Sequence, residues 1–372
     1  MNKKSCCLAV CWLALAATVH AGQLPGMRNP ADISESANVW VDAGAFAAST
    51  FRPLQNALQD RWNQFNPRDG NNLEMLLART SLAWNYQSWA IETGLRQQAI
   101  GQANIDTLEV YRAQQLNLAL PASRSYGIDY ALDGLEARYL ALGRAFQWAL
   151  ADHAVHFGLQ AALLDAWHYK EQKAWGQATV NANTVVLNGS TYNDDSAINT
   201  AASGFIPRFQ NQTPSGQGYT LDLGMRYIHP QGLELAWSVA DALGEIQWKD
   251  VPEITLSGSS TYNGQFPGGH KVLINRQQTL LPRHSLRASL PLGGDITVEG
   301  NAQTLGPLAL WGVGVKKRLA GNWKLSCDYD FYLQTLGLGL SHPWLEVSLR
   351  TDSLQAAEVH ALMFRLQARL PL

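Results

Sequence analysis

Cysteine is scarce in this sequence. Three of its four cysteines, Cys6, Cys7 and Cys11, lie near the start of the chain, and only Cys327 lies beyond them. If the first residues are removed, the one cysteine left cannot form an internal disulfide. We therefore expect backbone hydrogen bonds and side-chain packing to stabilise the fold without covalent cross-links.

Long apolar runs are also missing after the first residues. Nothing beyond residue 21 approaches the roughly 20 consecutive apolar residues that a transmembrane helix needs. This excludes a protein that crosses a membrane with helices. It does not exclude strands that cross lipid, because each needs only about ten residues and alternates apolar with polar side chains.

The chain has neither an excess of basic charge nor the short motifs of common active sites. Its 28 Lys and Arg stand against 30 Asp and Glu, so we expect no nucleic-acid partner. No zinc-binding His spacing, Cys-x-x-Cys, Gly-x-Ser-x-Gly or phosphate-binding loop occurs. His284 and Ser285 are adjacent, but neighbours on a strand point to opposite faces. We expect no catalytic residue, no metal and no cofactor, and a barrel hydrolase stays open as an alternative.

Residues 1–21 have the pattern of a secretory signal peptide. Lys3 and Lys4 precede the apolar stretch SCCLAVCWLALAA, and the small residue Ala21 precedes Gly22. A basic start, a short apolar core and a small-residue exit predict cleavage between Ala21 and Gly22. We therefore expect an exported protein, and the barrel pattern described next places it in the outer membrane of a Gram-negative bacterium.

Period-two alternation is the dominant pattern in the rest of the chain, and it predicts β-strands. In GYTLDLGMRYIHPQGLELAWSVAD (218–241), two alternating segments flank a turn at residues 229–232, which indicates an antiparallel hairpin. In WKLSCDYDFYL, the residues Leu325, Cys327 and Tyr329 share an apolar face. Short turns separate such segments, so we expect an up-and-down meander.

Alternation alone does not distinguish a soluble sandwich from a membrane barrel, in which the same pattern is turned inside out. Several segments have about nine to eleven residues, enough to cross a membrane at a tilt. Many of the 13 Trp and 12 Tyr lie near segment ends, as interfacial girdles require. The end of the chain, HALMFRLQARLPL, alternates back from Leu372 like the closing strand of an outer-membrane barrel. These features favour the barrel.

The predicted fold class is all-β: a transmembrane antiparallel up-and-down β-barrel of about 14 strands (12 to 16). Residues 22–70 are interpreted as an N-terminal segment with an amphipathic helix over 53–65, in or below the lumen. Residues 71–372 are interpreted as the barrel. Polar extracellular loops are expected near 176–217 and 256–276. Three stretches fit more than one assignment and leave the strand number open: residues 37–48, 105–113 and 251–280.

The hairpin at residues 218–241 and the segments after it also resemble a known family. YTLDLGMRY and LELAWSVADALGEIQWK, with the later QTLLPRHSLRASL, are similar to uncharacterised bacterial outer-membrane barrels related to conjugal-transfer TraF-like proteins. Those belong with the long-chain fatty-acid transporter (FadL-type) superfamily, and GMRNPAD resembles their Asn-Pro-Ala segment. The resemblance implies roughly fourteen strands and a periplasmic N-terminal segment that enters the lumen. Helix 53–65 is not the full hatch of a fatty-acid transporter, and no ligand-binding motif carries across.

Charged side chains on the polar strand faces form the candidate site. In an inside-out barrel they line the lumen, and they are Asp222, Arg226, Glu234, Glu299, Lys324, Asp328, Asp330, Glu346 and Arg350. They can pack as cross-strand salt bridges inside a plugged barrel, or they can line a charged constriction on a solute path. Both interpretations stay open.

The sequence favours passage of a small solute, hydrophobic solutes included, across the outer membrane. The alternative is a structural or assembly barrel of an envelope or secretion system. Such a barrel would dock periplasmic or surface partners through helix 53–65 and loop 176–217. The other expected partners are outer-membrane lipid and the barrel-assembly machinery, which would recognise the C-terminal strand.

Overall fold

A computed structural model describes residues 24–33, 36–121, 124–150, 152–181, 184–198, 203, 213–261 and 268–372. The predicted signal peptide lies outside these residues. The strands are β1 (Asn38–Ser49), β2 (Asn71–Tyr86), β3 (Trp89–Asn104), β4 (Ser125–Leu150), β5 (His153–Asn181), β6 (Thr184–Asp195), β7 (Ser215–Ile228), β8 (Glu234–Thr261), β9 (Gly268–Thr279), β10 (Arg283–Gly293), β11 (Ile296–Leu305), β12 (Leu308–Arg318), β13 (Lys324–Asp330), β14 (Thr335–His342), β15 (Leu345–Thr351) and β16 (Ala361–Pro371). The α-helices are α1 (Leu54–Leu58) and α2 (Ile105–Leu116), and short 3₁₀ helices lie at Pro30–Asp32 and Ala320–Asn322.

Fourteen of the strands in the described part of the chain form a closed antiparallel barrel. The ring closes where β1 pairs with β16 along Asn38–Pro371 to Ala48–Ala361. Strand β5 pairs directly with β7, and β8 pairs directly with β10, so β6 and β9 lie outside the ring. The predicted up-and-down membrane barrel of about 14 strands is therefore confirmed.

Side-chain exposure alternates along the strands, and the outward, exposed side chains of the wall are largely apolar. On β13, Leu325 and Tyr329 are exposed, whereas Ser326, Asp328 and Asp330 are buried in the lumen. In a soluble sandwich the apolar set would be the buried one. The outward apolar surface is what lipid requires of a transmembrane barrel.

No helix in the described residues is long and apolar enough to cross a bilayer.

The two rims of the barrel differ in their connections. At one rim, called the short-turn rim below, tight turns join consecutive strands, as at residues 87–88 and 294–295. At the opposite, long-loop rim the connections include residues 50–70 and 105–124. The first strand begins and the last strand ends at the short-turn rim. Barrels of outer membranes keep short turns in the periplasm, so the long-loop rim is assigned to the outside.

The structure corrects the predicted N-terminal organisation. Helix α1 spans five residues instead of residues 53–65, and it lies at the long-loop rim between β1 and β2 rather than in or below the lumen. Trp62 and Phe65 are outside the helix and pack with Phe51 as an aromatic cluster. The barrel begins with β1 at residue 38, not at residue 71. Residues 37–48 fitted more than one assignment because Trp40 and Phe46 on the inner face of β1 obscure the alternation.

The two predicted polar loops are also corrected. Residues 176–217 contain the end of β5, all of β6 and the start of β7, and residues 256–276 contain the end of β8 and most of β9. These strands continue the sheet beyond the long-loop rim, where β6 pairs with β5 and β8 and β9 pairs with β8. The extension has its own apolar cluster, in which Val180 and Val185 pack with Val110 of α2. The many Asn, Ser and Thr residues of these stretches obscured this pattern in the sequence.

Candidate solute path in the lumen

Residues 24–33 lie inside the barrel and are called the plug segment below. Ile33 packs with Ala90 and Ala145 near the short-turn rim. At the other end, the Leu24 amide donates a 2.8 Å hydrogen bond to Gln303 near the long-loop end of β11. The segment therefore enters from the short-turn rim and runs up the lumen. The family resemblance implied an N-terminal segment in the lumen, and residues 24–33 lie there; its periplasmic origin stays a prediction.

Three glycines on adjacent strands form the surface on which the plug segment lies. A Cβ atom on Gly158 would overlap the backbone of Pro30, and one on Gly224 would overlap the Asn29 side chain. A Cβ atom on Gly143 would lie 2.9 Å from Ile33 Cδ1. Because only glycine leaves this space, Gly143, Gly158 and Gly224 make a floor shaped for the segment.

Arginines of the barrel wall hold the backbone of the plug segment. Arg79 Nη1 donates to the Gly26 carbonyl at 3.1 Å, and Arg283 Nη1 donates to the Pro25 carbonyl at 3.4 Å. The space left beside Pro25 is about 10 Å³, close to the minimum for one water molecule. The wall therefore packs closely against Pro25.

The same arginines belong to a network of buried ion pairs, called the charged belt below. Arg79 Nη2 donates to Glu92 Oε1 at 2.8 Å, and the Tyr139 hydroxyl donates to the same oxygen at 2.7 Å. Arg96 binds both carboxylate oxygens of Asp241 at 2.8 and 2.9 Å. Bidentate pairs of this kind fix the relative positions of the strands that carry them.

Asp241 enters the belt through an irregularity in β8. Leu221 pairs with Leu243 and Leu223 pairs with Val239, so the single residue Asp222 of β7 faces three residues of β8. Asp241 has a φ of 55°, and its amide donates to Asp222 Oδ1 at 2.8 Å. The bulge turns Asp241 into the lumen, where Arg283 Nη2 also contacts it at 3.0 Å.

Apolar side chains face the lumen on the long-loop side of the belt and are called the apolar compartment below. They are Phe46, Leu73, Met75, Leu77, Ile100, Leu305, Leu308, Leu310 and Met363, with Leu24 and Met27 of the plug segment packed among them. A second inward cluster covers the wall at β4, β5 and β8 and includes Leu135, Leu164, Ile246, Trp248 and Leu280. The upper lumen is thus lined with apolar groups where a simple porin has polar ones.

The predicted lumen residues all lie on inward strand faces, and most of them are in ion pairs. Arg226 donates to Glu234 at 2.8 Å, Lys316 donates to Glu299 at 2.7 Å, and Arg350 pairs with Asp328. These are the cross-strand salt bridges of the first interpretation. The remaining predicted residues are placed as follows: Asp222 in the belt, Asp330 beside Arg350, Glu346 buried on β15, and Lys324 exposed at the short-turn rim.

Several belt residues were missed by the sequence analysis. They are Arg28, Asp42, Arg79, Glu92, Arg96, Asp241, Arg283 and Arg365. Glu92 and Arg96 alternate with Ile91 and Leu95, so strand polarity alone could have found them. Asp241 could not be placed this way, because strict alternation puts it with Trp237 and Val239 on the lipid face.

The neighbouring His284 and Ser285 lie on opposite faces of β10. His284 is exposed on the outer wall and Ser285 is buried in the lumen, so they form no dyad. Among the described residues, no group of three or more His, Cys, Asp or Glu side chains is arranged to hold a metal ion.

Fold and lumen together define a membrane-spanning β-barrel whose own N-terminal segment fills its lumen. No family model and no curated protein matches the chain. Solved structures do. The TodX deltaS2S3 mutant monoaromatic hydrocarbon channel is 9% identical, with 95% of each chain covered and a TM-score of 0.49. The toluene transporter TbuX of Ralstonia pickettii is 10% identical over 96% of this chain and 95% of that one, with a TM-score of 0.46.

A FadL homologue of Pseudomonas aeruginosa is also among the matches, at 9% identity, 92% coverage of each chain and a TM-score of 0.25. At these identities the likeness concerns the fold alone. The link to the conjugal-transfer TraF-like proteins stays a prediction.

Proposed function

We propose that the protein passes a small hydrophobic solute across the outer membrane through its lumen, with the plug segment moving aside. The observation that carries this proposal is the apolar compartment, against which Leu24 and Met27 of the plug segment pack. An apolar solute can take the place of these two side chains without exposing the compartment to water.

Barrel stability does not require this compartment. Lumen-facing residues can be polar, because water or cross-strand ion pairs satisfy them, as they do around Glu299 and Asp328. An apolar lining in contact with water costs about 25 cal/mol per Å². An apolar lining covered by a separate segment of the chain fits a binding site for apolar solutes.

Uptake of two probes into intact cells tests the proposal. The barrel is produced in a Gram-negative host, and entry of the neutral aromatic dye N-phenylnaphthylamine is compared with entry of the polar β-lactam nitrocefin. We expect the barrel to raise dye entry several-fold and to leave nitrocefin entry unchanged. Equal rates of dye entry with and without the folded barrel would contradict the proposal.

Two substitutions on one strand provide a matched comparison. Leu77 lies in the apolar compartment and Ser81 lies on the same face of β2, nearer the short-turn rim. Leu77→Asn makes the compartment polar and should reduce dye entry several-fold, whereas Ser81→Asn should have little effect. Migration of the unboiled protein as a compact band on gels shows that both variants are folded.

The docking alternative predicts a different outcome. A structural or assembly barrel would give no dye entry, even after deletion of residues 22–33, and would co-purify with an envelope partner. The apolar residues Phe51 and Trp62 beside α1 are buried against Leu108 of α2. This region therefore offers a partner polar residues and the exposed Leu58, and such a partner stays a prediction.

A further inference from the structure

The outer wall of the barrel has a depression of about 400 Å³ across β8, β10, β11 and β12. The row farther from the long-loop rim is formed by cross-strand neighbours: Trp237 opposite Leu286, Leu286 opposite Ala302, and Ala302 opposite Trp311. The next row, nearer the long-loop rim, contains His284, Thr304 and Ala309.

Small side chains explain why the wall is hollow at this place. Ala302 and Ala309 form the floor between the large side chains of Trp237 and Trp311. The Trp311 ring stacks on Phe331 of the β13–β14 connection, with ring centroids 4.3 Å apart. Because the indole is engaged on that side, it leaves the floor uncovered.

The depression lies in the part of the outer wall that faces lipid. Leu286, Trp311 and the neighbouring Val313 are exposed on the outward face that contacts lipid. An unfilled apolar hollow forfeits the dispersion contacts of its walls. A hydrocarbon chain of a surrounding lipid can enter the depression and restore these contacts, because the wall around it faces lipid.

The two ends of the depression differ in polarity. His284 and Thr304 lie at the end nearest the β11–β12 turn. The Thr304 hydroxyl accepts a 3.4 Å hydrogen bond from the His284 backbone amide. The end towards Trp237 and Leu286 is apolar. A ligand that matches this order has its polar group towards the outside and its chain towards the bilayer centre.

We propose that this depression is a specific site for one acyl chain of an outer-leaflet lipid. The apolar row holds the chain, and His284 and Thr304 contact the ester or phosphate at its head. The site lies on the opposite side of the wall from the lumen and does not depend on the proposed transport function.

Native mass spectrometry of delipidated, refolded barrel tests the proposal. One sample is supplied with phosphatidylglycerol and a second with lipid A, because either molecule provides an acyl chain and a phosphate. We expect wild-type protein to retain one lipid under gentle activation in at least one sample. The sample that shows retention identifies the source of the chain.

Filling the depression is the decisive change. The double variant Ala302→Leu, Ala309→Leu should lose the retained lipid, and His284→Phe should retain it several-fold less. Ala45→Leu with Ala47→Leu adds the same volume to the outward face of β1 and should behave as wild type. The compact gel band and the refolding yield report folding of every variant.

Two outcomes overturn the proposal. In the first, wild type and the filled variant retain equal numbers of lipids in both samples. In the second, wild type forms dimers that the filled variant loses, which would make the depression a contact between two copies of the chain.

Discussion

The long-loop half of the lumen and the short-turn half are built from different residues. Above the charged belt, large apolar side chains such as Leu77 and Leu310 line the wall. Below it, small and polar residues dominate, including the glycine floor under the plug segment. The upper half is suited to an interchangeable apolar occupant, and the lower half is shaped for one particular segment.

The lower half positions the plug segment, whereas the upper half accommodates apolar groups. The glycine floor and the arginines that hold Pro25 and Gly26 recognise the backbone of the plug segment and so position it. The apolar compartment recognises only the apolar character of Leu24 and Met27. Changes in the belt, the floor and the compartment should therefore have effects of different size and kind.

Loss of Asp241 should give the largest effect, because it leaves two arginines of the belt without their shared partner. Arg96 and Arg283 are buried and both contact this carboxylate. Asp241→Ala is expected to reduce the free energy of unfolding by about 3–5 kcal/mol, measured by urea titration in lipid vesicles. The control Asp165→Ala removes the exposed partner of Arg138 and should cost about 0–1 kcal/mol. Equal losses of stability in the two variants would mean that the buried belt contributes no more to stability than an exposed ion pair does.

A methyl group on the glycine floor should release the plug segment and leave the barrel folded. Gly158→Ala places a Cβ atom in the backbone of Pro30, and such overpacking costs about 1–3 kcal/mol. In a Met27→Cys, Cys327→Ser background, maleimide labelling of position 27 should become about tenfold faster. Gly300→Ala is the control, since nothing lies within 4 Å of its added Cβ. Unchanged labelling in Gly158→Ala would show that the floor does not position the segment.

The smallest effect is expected from an ion pair between His360 and Asp352 at the long-loop rim. In the β15–β16 connection, the side chain of His360 lies 3.5 Å from Asp352, and this interaction raises the pKa of His360 above its usual value. Because the folded-state pKa is raised, the stabilisation is fully present below about pH 6.5 and is lost as the pH rises through the folded-state pKa. NMR titration should show this raised pKa, and Asp352→Asn should return it towards about 6.5. A His360 pKa that does not change in Asp352→Asn would refute the pairing.

The wall of the barrel could be predicted from the sequence because lipid imposes a single rule on every strand. Residues such as Leu325 and Cys327 must alternate with polar ones, and they do so in the structure. The lumen follows no such rule. Its contents depend on contacts between residues far apart in the chain, such as Leu24 with Gln303, and on the bulge that redirects Asp241.

A reversible cross-link between the plug segment and β1 tests whether solute passage requires the segment to move. A Cβ atom on Gly44 would lie 3.2 Å from Cβ of Pro25, within a few tenths of an ångström of the separation in disulfides, about 3.5–4.5 Å. The variant Pro25→Cys, Gly44→Cys is made in a Cys327→Ser background, with each single cysteine as a control.

If the plug segment gates the lumen, dye entry through the oxidised double variant falls to the level of cells without the barrel. Reduction should restore entry to the level of the single-cysteine controls. If the cross-linked protein, with its disulfide verified by mass, passes the dye as fast as the reduced protein, the plug segment does not gate the lumen.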